Sequence, residues 1–110
     1  MAYDEELADR IRALVAGLSG VTEKKMFGGL AFLVAGNMAV AASGGGGVLV
    51  RVDPEESEAL VASTSARPMV MRGREIAGWL RVETEHVASD AELARWVELG
   101  TAYARSLPPK

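Results

Sequence analysis

The feature that most constrains the fold is an apolar, glycine-punctuated stretch over residues 24–52. It predicts three consecutive strands, because its β-rich runs are separated by short segments that favour tight turns. The first turn is predicted at Ala35-Gly36-Asn37, where Gly and Asn tolerate a positive φ, and the second over residues 43–47. After this second turn, valines occupy every second position of residues 48–52, which predicts a strand with one buried face.

Composition places the chain among globular proteins. Its 110 residues are 49% hydrophobic and 25% charged, which predicts a single domain over residues 1–110 with a core of its own. The absence of cysteine excludes disulfides and thiolate chemistry and fits a reducing cytoplasm. We expect a cytoplasmic location without membrane contact, because no apolar run approaches about 18 residues and the acidic N-terminus lacks a signal-peptide pattern.

Three helices are predicted around the strands. The first is capped by Asp4 and runs to about residue 17, the second begins at Asp53-Pro54 and ends near Ser63, and the third opens with a capping box of Ser89 and Glu92. The first and third carry apolar stripes at helical spacing: Leu7, Ile11, Leu14, Val15 and Leu18, and Leu93, Val97, Gly100 and Ala104.

Two further strands are predicted over residues 68–72 and 78–82, with their turn beginning at Gly73. The resulting order is α-β-β-β-α-β-β-α. The expected architecture is α+β with two layers, in which one antiparallel five-stranded sheet is covered by helices on one face.

Five segments carry a resemblance to a known family: residues 25–32 (KMFGGLAF), 36–39 (GNMA), 49–52 (LVRV), 68–71 (PMVM) and 78–80 (GWL). Together they resemble the N-terminal domain of the TfoX/Sxy family of bacterial competence regulators, over nearly the whole chain. The resemblance implies a two-layer fold similar to that of type III secretion chaperones, with the same element order. For function, the resemblance implies a competence-regulator-like module.

The strongest binding signal is a set of basic residues and a tryptophan on or near the predicted strands. Alternation assigns Arg51, Arg72, Trp79 and Arg81, together with Leu49 and Val70, to the sheet face away from the helices. Tryptophan and arginine are enriched in interfaces, although an ordinary solvated sheet face has the same pattern. The complete set of candidate binding residues is Arg51, Arg72, Arg74, Trp79, Arg81, Lys24 and Lys25.

These observations favour a non-enzymatic binding module that forms a homodimer or docks a protein partner through the open sheet face. Type III secretion chaperones, which share the implied fold, are dimers. The alternative is an anion-binding or nucleic-acid-binding domain that uses the arginines and the pair Lys24-Lys25, although the net charge of −3 argues against broad affinity for nucleic acid. For the lysine pair itself, which is predicted to precede the first strand, protection of a sheet edge is a second interpretation.

No cofactor or metal is predicted. His86, the one histidine, is interpreted as a solvated loop residue before the last helix, because no ligand spacing or nucleophile accompanies it. The glycine run over residues 44–47 is interpreted as a flexible hairpin loop, because it leads into a strand and not into a helix. The adjacent glycines of residues 26–29 predict a bulge or a close backbone approach.

Overall fold

The structure, a computed structural model, describes residues 3–26 and 28–109. Within them the chain forms three α-helices, one antiparallel sheet of six strands, and a short 3-10 helix over Thr84–His86. The elements are α1 (Glu5–Val15), β1 (Val21–Met26), β2 (Gly29–Val34), β3 (Asn37–Ala42), β4 (Val48–Arg51), α2 (Pro54–Ser63), β5 (Arg67–Met71), β6 (Arg74–Val82) and α3 (Asp90–Ser106). The α+β class and the antiparallel sheet are confirmed, and the strands lie in the order β1-β2-β3-β4-β6-β5.

The prediction of five strands was wrong because it omitted β1. This strand pairs with β2 from Val21↔Val34 to Met26↔Gly29, so Lys24 and Lys25 lie inside an edge strand and not before the first one. Four consecutive residues in the middle of β1 are exposed, so the strand lacks the alternation of apolar residues by which a strand is predicted. Charged side chains are a usual way to keep such an edge from pairing with another chain.

The predicted irregularity over residues 26–29 is the turn between β1 and β2. Gly28 occupies this turn with a φ of 75°, and residue 27 lies outside the described residues. Gly29 begins β2, and a Cβ there would lie 2.2 Å from the carbonyl oxygen of Ala42. Of the two predicted explanations, a bulge or a close backbone approach, the close approach is therefore the correct one for Gly29.

The β2–β3 hairpin lies where the sequence predicts it, with one correction. Ala35 and Gly36 form the two-residue turn, at φ values of 51° and 84°. Asn37, which was also expected in the turn, is instead the first residue of β3 and only 1% exposed. Its Nδ2 donates a hydrogen bond to the carbonyl oxygen of Pro108, 2.9 Å away, and so fastens the segment after α3 to the sheet.

The β5–β6 hairpin corrects a second prediction. Its turn consists of Arg72 and Gly73, both at positive φ (55° and 77°), and Met71 pairs with Arg74 across it. Arg72 is therefore a turn residue and not part of a strand, and β6 begins at Arg74, where the turn was expected to continue. Sequence rules favour Asn, Asp or Gly at such a first turn position, so Arg72 gave no signal.

The larger core cluster joins the helices to the sheet. Ile11 of α1 and Leu93 of α3 belong to it together with Phe32, Val50 and Leu80 of the strands. The apolar stripe predicted for α3 is buried throughout, whereas in α1 Leu14 is 41% exposed. The caps are also confirmed, since the side chains of Asp4, Asp53 and Ser89 each accept hydrogen bonds from the first turn of a helix.

Candidate functional site

A second, smaller cluster of apolar residues lies on the sheet. Among the residues that the structure describes, all of its members belong to strands. We call this surface the methionine face; its residues are Met26, Ala31, Leu33, Met38, Ala41, Leu49 and Met69. Toward β5 it deepens into a groove of about 140 Å³, the methionine groove, lined by Met38, Leu49, Met69, Met71, Ile76 and Trp79. The lining side chains are all apolar apart from the indole N–H of Trp79, so the groove can take up an apolar group.

Strand alternation places the predicted residues around this groove. Val48 and Val50 belong to the larger core cluster, whereas Leu49 between them belongs to the methionine face. The β4–β6 register pairs Arg51 with Trp79 and Leu49 with Arg81. Side chains that are directly opposite in a sheet share one face, so these residues lie together as the alternation predicts.

Arg51 is held between two aromatic rings. The carbon of its guanidinium lies 5.8 Å from the ring centroid of Trp79 and 5.8 Å from that of Tyr103 in α3. Both distances are within the range of cation–π attraction. Arg51 therefore connects a groove residue to a helix, and its partner Tyr103 was missed, because nothing in a sequence pattern pairs residues so far apart.

Arg81 has a structural role that the sequence did not suggest. Its guanidinium donates hydrogen bonds to Ser43 Oγ at 2.9 Å and to the carbonyl oxygen of Gly46 at 2.8 Å. The N–H of Gly47 donates to Thr84 Oγ1 at 2.9 Å. The loop between β3 and β4 is the predicted hairpin connection, and these contacts fix its backbone against β6 and the segment that follows it.

Glu83 accepts hydrogen bonds from two arginines at the end of the sheet where Arg81 contacts the β3–β4 loop. Its Oε2 accepts hydrogen bonds from Arg67 Nη2 at 2.6 Å and from Arg81 Nε at 3.0 Å. These contacts, first with Arg67 and then with Arg81, hold the pKa of Glu83 below its ordinary value. Arg67 and Arg81 are thus partly neutralised, which leaves less of their charge for a ligand.

The other candidate arginines lie at the opposite end of the groove. Arg74 begins β6 and pairs with the groove residue Met71, and Arg72 is exposed in the adjacent turn. Neither they nor Arg51 form a salt bridge with an acidic residue of the described chain. Arg51 and Arg74 lie directly opposite the groove residues Trp79 and Met71 on the neighbouring strands, and Arg72 follows Met71 in the chain; we call the three arginines the basic rim.

Two candidate positions are divided between the faces of the sheet. Lys24 pairs with Ala31 of the methionine face, whereas Lys25 pairs with Leu30 of the larger core cluster. Val70, which was predicted to share a face with Arg72, pairs with Glu75 and does not line the groove. The methionines on either side of Val70 line the groove instead. The error arose because the prediction took Arg72 as a strand residue that marks the open face, whereas Arg72 lies in the turn after β5.

His86, which was predicted to be a solvated loop residue, is instead half-buried in the 3-10 helix. The side chains described in the structure form no group of three or more that could hold a metal ion. None of the helices of residues 3–26 and 28–109 is long and apolar enough to cross a membrane.

Comparison with known proteins identifies the family to which the chain belongs. No curated protein matches the chain. The sequence model of the TfoX N-terminal domain matches residues 13–104, from the last three residues of α1 to near the end of α3. This match includes all six strands and therefore the whole methionine face. The chain belongs to the TfoX N-terminal domain family.

Proposed function

We propose that the protein is a non-enzymatic, cytoplasmic regulatory module that binds protein through the methionine face, either another copy of itself or a different protein. The family suggests a competence-regulator-like module. The observation that carries the binding role is the methionine groove, an apolar depression on a sheet surface to which no helix of the described chain contributes. Exposed apolar depressions of this kind mark interaction sites, and methionine adapts its shape to a partner.

The chemistry of the groove supports a binding role over catalysis. Its lining presents hydrocarbon, thioether and indole groups, none of which serves as a general base or an activated nucleophile. Two of the arginines that pair with groove residues, Arg51 and Arg81, are engaged by aromatic rings and by a loop. The surface is therefore built to bury apolar side chains.

Anion or nucleic-acid binding through the arginines is the alternative. It has less support, because Arg67 and Arg81 share Glu83 and because Lys24 and Lys25 lie on opposite faces of the sheet. The remaining basic rim is short compared with the row of phosphate contacts that nucleic-acid binding requires. Protein binding is the function that this arrangement favours.

Sedimentation at several protein concentrations tests self-association. Self-association through the groove would give a dimer whose fraction rises with concentration and falls in Met71→Lys, which places a charge in the groove. The matched control is Val70→Lys, because Val70 is the adjacent residue and is 60% exposed but lies outside the groove. A monomer at every concentration would remove self-association and leave a different protein as the partner. The proposal fails if the groove then also selects no peptide in the experiment described in the next section.

A further inference from the structure

We propose that the occupant of the methionine groove is an acidic segment of another protein, which inserts one large apolar side chain between Leu49, Met71 and Trp79. This inference rests on the proposed function and narrows it to one class of partner. Three properties of the groove carry it: its size, the charge around it and its position at the edge of the sheet.

The size of the groove fits one side chain. Its volume of about 140 Å³ is close to that of a buried apolar cavity of roughly 150 Å³ that takes up benzene. A leucine, methionine or phenylalanine side chain is of this size. The groove therefore accepts a single anchor residue, as in interfaces in which one buried side chain contributes most of the binding energy.

The charge beside the groove sets the chemistry of the flanking residues. Arg51 stacks on Trp79, Arg74 pairs with Met71, and Arg72 lies in the next turn. None of the three has a salt bridge to an acid within the described chain. Guanidinium groups bind carboxylates through paired hydrogen bonds, so aspartate or glutamate on either side of the anchor would complement this rim.

The same charge argues against a second copy of this chain as the occupant. A two-fold contact places the same patch of both copies face to face. If the groove lies at the two-fold axis, the rim of Arg51, Arg72 and Arg74 faces an identical rim, and juxtaposed like charges weaken an interface. A foreign acidic segment meets no such repulsion from the rim.

The groove is also accessible from the edge of the sheet. Strand β5 is the last in the sheet order, and its residue Met71 is 36% exposed. A peptide can reach the groove beside this strand without displacing any of the helices. Pro68 lacks an N–H, so side-chain anchoring rather than a long ladder of backbone hydrogen bonds is expected to dominate.

Selection from a random peptide library displayed on phage tests the inference. Wild-type protein is the bait, Met71→Lys serves for counter-selection, and Val70→Lys is the matched control. We expect the selected peptides to share one Leu, Met or Phe flanked by acidic residues. A synthetic peptide of the selected sequence is then titrated while tryptophan fluorescence is recorded. Trp79 lies in the groove, whereas Trp96, which is 4% exposed, supplies a constant background.

The charge requirement is tested with the same peptide. Arg74→Glu should weaken binding about tenfold or more, since each factor of ten corresponds to only about 1.4 kcal/mol. Arg95→Glu, at an exposed position of α3 away from the groove, should leave binding unchanged. Added salt should weaken the complex, because exposed charge pairs are screened.

Each outcome decides between the two proposals. Acidic peptides that depend on both Met71 and Arg74 support the inference. Basic or uncharged peptides that still require Met71 overturn it but leave the protein-binding function in place. A dimer that Met71→Lys disrupts has the same meaning, because the occupant is then a second copy. If no peptide is selected and the protein is a monomer at every concentration, both proposals fail.

Discussion

Gly100 shows how a single residue sets the distance between a helix and the sheet. It lies in the middle of α3, where glycine costs about 1 kcal/mol relative to alanine. A Cβ at this position would lie 2.4 Å from the carbonyl oxygen of Ala39 and 3.3 Å from Cγ1 of Val50. Ala39 is the extra residue of a bulge, since Phe32 pairs with Val40 and Leu33 with Met38. The bulged backbone therefore needs a helix without a side chain above it.

Gly100→Ala is expected to destabilise the fold by about 1–3 kcal/mol, because overpacking against backbone outweighs the better helix propensity of alanine. Urea unfolding followed by circular dichroism measures the change. Gly17→Ala is the control, since a Cβ there meets nothing within 4 Å, and its stability should be unchanged or slightly increased. Equal stability of Gly100→Ala and wild type would show that α3 can move away from Ala39.

Glu83 contributes stability that depends on pH. Its hydrogen bonds with Arg67 and Arg81 hold its pKa below the ordinary value of 4.5, so the folded state favours the ionised carboxylate. This contribution is present above that value and is lost as the pH falls through the lowered pKa.

Glu83→Gln should therefore unfold more easily than wild type at neutral pH, and the difference should shrink in acid. Thermal unfolding across the acid range measures it. Glu75→Gln is the control, because Glu75 is exposed and forms no salt bridge with a described residue. A constant difference between Glu83→Gln and wild type at every pH would contradict the role of the ion pair.

At the scale of secondary-structure elements, the sequence predicts the helices better than the edge strands of the sheet. The starts of α2 and α3 follow from N-caps and, in α2, from a proline in the first turn, which act within a few residues, and both were correct. Strand β1 was missed because an edge strand needs no apolar alternation, and the β5–β6 turn was misplaced because Arg72 adopts a positive φ that its residue type does not favour. In both cases pairing with a neighbouring strand decides the structure.

The start of α2 gives a direct test of a local signal. The Asp53 side chain accepts a hydrogen bond from the N–H of Glu55 at 2.9 Å, and Pro54 occupies the first helical position. Asp53→Ala is expected to reduce stability by about 1 kcal/mol, as for other helix caps. Asp53→Asn keeps a capping oxygen and should lose much less. Thermal unfolding of the two variants compares them, and equal loss in both would assign the effect to the charge instead of the cap.

At the scale of the whole molecule, the candidate site could be predicted only in outline. Alternation placed Arg51, Trp79 and Arg81 on one face, because that requires only neighbouring residues. It could not show that Arg81 is used by the β3–β4 loop or that Tyr103 covers Arg51, because these contacts join segments far apart in the chain. Long-range hydrogen bonds therefore remove Arg81 from the row of arginines and leave the rim of Arg51, Arg72 and Arg74, in which Arg51 also contacts two aromatic rings.

The charge of the molecule leads to a last prediction, which concerns nucleic acid. With a net charge of −3 and a rim of three arginines without described acidic partners, we expect no complex with double-stranded DNA at physiological salt. Electrophoretic mobility shifts over a series of salt concentrations measure this. Any complex seen at low salt should disappear steeply as salt rises, because phosphate contacts release counterions.

The double variant Arg72→Ala/Arg74→Ala separates a specific site from weak attraction. It removes two of the three rim charges and leaves the groove lining unchanged. A shift that persists at physiological salt and is abolished in this variant would establish the alternative function, in which the rim binds phosphate. A shift that persists equally in the variant would place the nucleic-acid contact elsewhere on the molecule. If neither protein shifts the DNA, the carboxylates of a protein partner remain the expected ligands of the rim. Guanidinium groups that have no acidic partner within the described chain still favour an anionic ligand.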